Sequence, residues 1–289
     1  MYTSNIRLHT HRQLATPGLA ILCFAAALPA WGQMGLGLSP MLLPIDMTGG
    51  EVRNSTLTLG NDDKAAVRYR AELLDFSVDK EATPQFERDF PGESQFSCRQ
   101  WLTLNPMEGE LLAHGQASVR YSIRVPAGVP ARTYHCAVGF TSMLDPRNLP
   151  QAGPMGIQAA VRVVTTFYVT VGKPTPAGQI QDITLERIAG EKPASDQTAG
   201  YRALFVVANE GFTNLRGIGK VEVLAEDGNV METLDFPSQV ILPQRNQRLP
   251  MVLRNKLAEG RYTIRVRANI GTGEMQEATL GFRVPLETP

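Results

Sequence analysis

Beyond the first 32 residues the chain holds two histidines, His114 and His135, the side chains best suited to general acid–base work or metal ligation near neutral pH. Neither stands in an HExxH pattern or at a Cys/His metal spacing. His114 lies in Leu112-Ala113-His114-Gly115, which reads as a loop before a strand, and His135 sits beside Cys136 within a strand. Both are expected to be structural. Asp62, Asp63, Glu108 and Glu110 could pair as acid and base or hold calcium, yet each set also suits ordinary turn chemistry. No GxSxG elbow, P-loop or dinucleotide fingerprint occurs, because the glycines near Gly217 and Gly271 fall in turns between strands. The sequence therefore assigns no catalytic, cofactor-binding or metal residue, and the expected activity is binding rather than catalysis.

The N-terminus explains the compartment. Arg7, His9, His11 and Arg12 precede an apolar run from Leu19 to Leu28, followed by the small-residue stretch Ala30-Trp31-Gly32. That order marks a secretory signal peptide over residues 1–32, with mature residues from Gln33. The run is too short to span a bilayer, and no later segment is apolar enough. Leu22 before Cys23 is too bulky for a lipid-attachment site, and the apolar run continues past it. The chain carries 28 basic and 28 acidic residues. Loss of Arg7 and Arg12 with the leader leaves a slight acid excess, which gives no global attraction for nucleic acid. Cys98 and Cys136 are the cysteines left in an exported chain, and a disulfide between them is expected.

Elements that could position a binding surface follow from a two-residue apolar period. It is clearest from Val161 to Val171, where Val161, Val163, Thr165, Phe167, Val169 and Val171 share one face. Similar segments are Ser55–Leu59, Ala66–Leu74, Ser118–Val125 and Tyr134–Ser142, with turns at Gly60-Asn61-Asp62-Asp63 and Pro126-Ala127-Gly128. The pattern resumes in Ile183–Ile188, Arg202–Ala208, Lys220–Ala225, Gln247–Leu253, Tyr262–Ala268 and Ala278–Val284. Val221–Ala225 and Val230–Leu234, joined through Asp227-Gly228, read as a hairpin. Asp75–Phe96 lacks clean alternation and reads as a long loop or edge excursion. Many short antiparallel strands must bury their apolar faces against a second sheet, so the fold class is all-β, two tandem immunoglobulin-like β-sandwich domains. The Pro/Gly segment 172–179 is the expected linker between a domain over 33–171 and a second over 180–289.

From Leu38 to Val171 the chain resembles the first domain of periplasmic pilus-assembly chaperones, the PapD-like immunoglobulin-fold family. The resemblance rests on LSPMLLPIDMTGGEVRNSTLTLGNDDKAAVRYRAELLDF for the opening strands and WLTLNPMEGELLAHGQASVRYSIRVP for the middle. GVPARTYHCAVGF and VRVVTTFYVTV match the last two strands. It implies that the final strand is lent to an incomplete subunit by β-augmentation, which makes Val161, Val163, Thr165, Phe167 and Val169 the candidate partner-binding edge; the other reading of the strand is an internal sheet member already paired on both sides, since sequence does not reveal edges. The family's two basic carboxylate anchors have no match: the first strand reads Ser39-Pro40-Met41-Leu42-Leu43, and Thr165-Thr166 stands where a lysine is expected. The second domain is similar to generic immunoglobulin-like modules of bacterial surface proteins, with Val207-Ala208-Asn209-Glu210-Gly211 ending one strand and Glu259-Gly260-Arg261-Tyr262 opening another.

These readings converge on a non-enzymatic, periplasmic chaperone-like protein that needs no cofactor. Its partner would be a pilin-like subunit or another envelope protein. The alternative is a structural or adhesive module, secreted or at the cell surface, that binds cell wall, glycan or envelope protein.

Overall fold

The computed structural model describes residues 35–79, 82–88, 90, 94–143, 160–188 and 200–285; the expected leader over 1–32 lies outside the described residues. The first half runs β1 (Gly37–Ser39), β2 (Leu42–Met47), β3 (Val52–Gly60), β4 (Val67–Val78), β5 (Pro84–Glu87), β6 (Leu102–Asn105), β7 (Glu108–Leu111), β8 (Gln116–Arg124), β9 (Arg132–Met143) and β10 (Arg162–Val171). One sheet has the order β1-β3-β8-β6, the other β2-β10-β9-β4-β5 with β7 also on β4. Alternation along each strand sends one row inward. Leu57, Val119 and Ile123 of the first sheet meet Tyr69, Phe140, Phe167 and Val169 of the second in one buried cluster.

The second half runs β11 (Gly178–Arg187), β12 (Tyr201–Asn209), β13 (Leu215–Arg216), β14 (Ile218–Ala225), β15 (Val230–Asp235), β16 (Val240–Ile241), β17 (Arg245–Val252), β18 (Gly260–Asn269) and β19 (Gln276–Val284). Sheets β11-β12-β17 and β15-β14-β18-β19 face each other, with the β13–β16 pair beside them. Phe205, Val207 and Leu249 there bury against Val221, Ile264 and Val266. Both halves are immunoglobulin-like β-sandwiches, and the β14–β15 hairpin forms as expected.

Each half carries the same two polar devices. Asn61, 1% exposed, ends β3 and donates from Nδ2 to the carbonyls of Ala65, Leu111 and Leu112. Asn209, equally buried, ends β12 and donates to Thr213, Ile241 and Leu242. Tyr134 and Tyr262 open β9 and β18, and each hydroxyl donates 3.1 Å to a carbonyl four residues upstream, of Pro130 and Ala258. This is the tyrosine corner of immunoglobulin-like sandwiches.

Of the two readings of 75–96, long loop or edge excursion, the described residues show an edge strand. β4 continues through Asp75 to Val78 and β5 pairs back on it, with Asp75 opposite Glu87. The alternation there is blurred because both faces of this stretch are covered: Leu74 and Phe76 on one face are buried in a cluster with Ala137 and with Leu242 of the second half, and Asp75 on the other face is buried too.

Candidate functional site

β10 is the strand on which a binding role was expected, and its surroundings change halfway along. On one side it pairs antiparallel with β9 from Arg162 to Val171. On the other, β2 pairs parallel with Thr166–Val171. The first strand reaches this position by leaving the β1–β3 ladder at Ser39 and crossing to the second sheet. Thr165 Oγ1 donates to the Pro40 carbonyl at 2.8 Å and Thr166 N–H to Met41 at 3.0 Å, fastening the crossing. Gly172, at φ +70°, turns the chain out of β10 while its N–H still reaches Met47 O.

The expectation of an open edge along the whole strand is therefore corrected. Thr165, Phe167 and Val169 are fully buried, and Phe167 packs edge-on against Tyr121 at 5.1 Å. These side chains fill the sandwich core, and the main chain from Thr166 onward is enclosed between two strands. Sequence could not show this, because alternation reports faces and not edges.

Upstream the geometry differs. Main-chain groups in a strand point alternately to its two neighbours. Thr166 N–H points to the β2 side, whereas Val161 exchanges with Ser142 on the β9 side. Arg162 and Val164 therefore present their N–H and C=O groups away from β9, where no described strand pairs with them. Val161 and Val163 are half-buried over the core, and Val164 packs with Tyr168 toward the second half. Burial of Tyr168 raises its phenol pKa, opposed by a hydrogen bond with Thr166 and by Arg216.

The junction with the second half is built on the same sheet. Phe76 lies against Tyr168 at 5.6 Å, in the cluster completed by Leu242. Arg245 donates to Val78 O and Gln247 to Asp79 O. Thr133 N–H reaches Phe212 O at 2.8 Å, and the Arg132 guanidinium lies over the neighbouring rings of Phe96 and Phe212, 5.4 and 5.0 Å from their centres.

The residues first considered for chemistry lie apart from this edge. His114, at φ +54°, is in the exposed loop before β8. Asp63 N–H donates to Asn61 Oδ1 in the turn after β3, and Glu108 on β7 pairs with Arg70 at 2.7 Å. No three acidic, histidine or cysteine side chains gather as metal ligands among the described residues. The Cys98–Cys136 disulfide forms, with both cysteines buried. Beside it is a polar cluster that the sequence did not reveal: Ser97 Oγ donates to Asp75, Arg99 pairs with Asp75 at 3.1 Å, and His135 stacks between Phe76 and Phe96. The three segments are distant in the chain, and no spacing links them. Burial pushes the His135 pKa down to about 4, against smaller upward contributions from Asp75 and a hydrogen bond with the Phe76 backbone. The imidazole is held neutral, and its 2% exposure leaves it no access to a substrate.

No family model matches the sequence, and no curated protein matches it. Solved structures do. The YadV chaperone aligns at 10% identity and a TM-score of 0.42, covering 86% of this chain and 100% of its own. The class 5 fimbriae chaperone CfaA aligns at 12% identity and 0.41, covering 87% and 100%. The structure of the Salmonella enterica SafA pilin in complex with the SafB chaperone aligns at 11% and 0.39, covering 86% and 96%. The chain is similar to fimbrial chaperones.

Proposed function

We propose that the chain is an exported, non-enzymatic chaperone-like protein of the periplasm that holds a subunit of a pilus or similar surface structure. It does so by pairing an extended segment of that subunit with residues 161–164. In this reading 33–171 is the chaperone-type sandwich, 172–179 the joint and 180–289 the second sandwich. The observation that carries the proposal is the outward-facing main chain of Arg162 and Val164, continuous with a strand that is rigid from Thr166 onward. A partner strand there would gain ladder hydrogen bonds on a preorganised template. Half-buried Val161 and Val163 would supply its apolar contacts. The subunit's carboxylate is not anchored as the resemblance implies, since Thr165 Oγ1 is taken by Pro40 O.

Val164→Pro tests this directly. Proline removes an N–H that no described strand uses, so the β9 ladder stays intact while augmentation is blocked. Tagged mature protein is used to capture partners from the native periplasm, which are identified by mass spectrometry. A pilin-like subunit bound by the parent and lost from Val164→Pro, at unchanged melting temperature, is the expected result. Equal capture by both proteins, or envelope components alone, would overturn the reading.

A further inference from the structure

The other sheet of the first sandwich carries a second surface, independent of the β10 edge. Strands β3, β8 and β6 lie side by side, and their register stacks outward-facing residues in rows. Thr56, Arg120 and Asn105 form one row, Asn54, Ser122 and Thr103 the next, and Val52 and Arg124 the last. The outer face of an antiparallel sheet is ordinarily polar and solvated, so polarity alone means nothing.

Three features set this face apart. It is concave: a hollow of about 420 Å³ lies over the first two rows, and a second of about 480 Å³ shares Thr103 and Ser122 with it and extends to Gln100, Trp101 and Arg124. These volumes fall in the range of ligand sites. Its charge is of one sign, with no acidic residue in any row. Several arginines elsewhere, Arg53, Arg70, Arg202 and Arg265 among them, each hold a glutamate within 3.0 Å. Arg120 and Arg124 have no ion-pair partner among the described residues, and nearby Glu51 is engaged by Arg53 and Thr48. Finally, an aromatic borders it, Trp101, which lies against Tyr134 at 4.4 Å and is held half-exposed at the rim of the second hollow.

We propose that this face binds an acidic oligosaccharide, a chain of carboxylate-bearing sugars. Amide and hydroxyl side chains of Asn54, Thr56, Thr103 and Asn105 match sugar hydroxyls, a guanidinium takes a carboxylate bidentately, and an indole packs against a sugar ring. Strand rise of about 3.4 Å per residue puts the Cα atoms of Arg120 and Arg124 roughly 14 Å apart along β8, a spacing at which a short saccharide chain can offer a carboxylate to each guanidinium. Leu104 and Tyr121 also line the first hollow and give the apolar face of a sugar ring something to pack on.

The test is titration calorimetry of the mature protein with an oligogalacturonate, a neutral maltooligosaccharide of equal length and poly-glutamate. The expected result is binding of oligogalacturonate, loss of at least tenfold affinity in the Arg120→Gln, Arg124→Gln double variant and again in Asn54→Ala, and no binding of the neutral sugar. Circular dichroism and melting curves unchanged from the parent certify the exposed variants as folded. Absence of binding, binding unaltered by the variants, or equal affinity for poly-glutamate would each overturn the proposal, the last by showing a response to charge alone. Val164→Pro should leave this titration unchanged, which separates the two sites.

Discussion

His135 shows how a residue type that suggests chemistry can serve packing instead. Its imidazole spans Phe76 and Phe96, two rings that belong to different contacts of the first sandwich. The folded chain keeps it neutral down to about pH 4, whereas an unfolded chain protonates near 6.5. Between those values the unfolded state binds the extra proton, so its stabilising effect is complete above pH 6.5 and is lost as the pH falls toward 4. The loss should reach roughly 3 kcal/mol in urea melts taken across that window. His135→Leu should flatten this part of the profile; an unchanged profile would show that other groups set it. Asn61 and Asn209 make a second residue-level case. Alanine at either leaves three carbonyls without their amide donor, and each substitution should cost about 2–3 kcal/mol in the same measurement.

Strand β10 separates the roles of face and edge. Phe167→Ala, which opens a cavity in the core, should destabilise the fold by about 3–5 kcal/mol. Val164→Pro should leave the melting temperature near the parent value. A large loss of stability from the proline would mean that the outer side of Val164 is already used. Long strands were legible because their two-residue period is strong: Ser118–Val125 and Tyr262–Ala268 fall within β8 and β18 with little displacement. Short ones such as β5, β13 and β16 were not, since four or fewer residues give alternation nothing to repeat. The extent of the open edge was hidden for another physical reason. A chain can bury one face of a strand without disclosing which neighbours hydrogen-bond to it, and β2 arrives from far away in sequence. Asn61 read as a turn residue although its side chain is buried, because what makes it structural is the arrival of Leu111 and Leu112 from β7. A comparison of Gly60-Asn61-Asp62 with Val207-Ala208-Asn209-Glu210 as the ends of equivalent strands could have found the repeated device. The polar rows over β3, β8 and β6 were invisible for the same reason as the edge, since they require register.

The two sandwiches are joined by more than the Gly172–Gly178 connection. Phe76, Tyr168 and Leu242 form an apolar contact, while Arg245, Gln247 and Thr133 add hydrogen bonds across it. Such a contact should couple the halves in unfolding. We expect one calorimetric transition for the parent and two for Leu242→Ala, which removes the second half's fully buried contribution. Reduction of Cys98–Cys136 should weaken the first sandwich by about 4 kcal/mol. With the junction intact, that loss should lower the single transition of the entire chain. The buried asparagines extend this coupling into time. Hydrolysis of an asparagine side chain is a slow, spontaneous form of protein ageing that exchanges the amide nitrogen for oxygen. At Asn61 or Asn209 it would place a carboxylate against three carbonyl oxygens, turning the three donated hydrogen bonds of that side chain into repulsion. While the sandwich is closed, the three hydrogen bonds hold the amide still and dry. A chain that opens often would age at these two points and lose its ability to close again, so the same bonds that end β3 and β12 also set how long a working copy lasts.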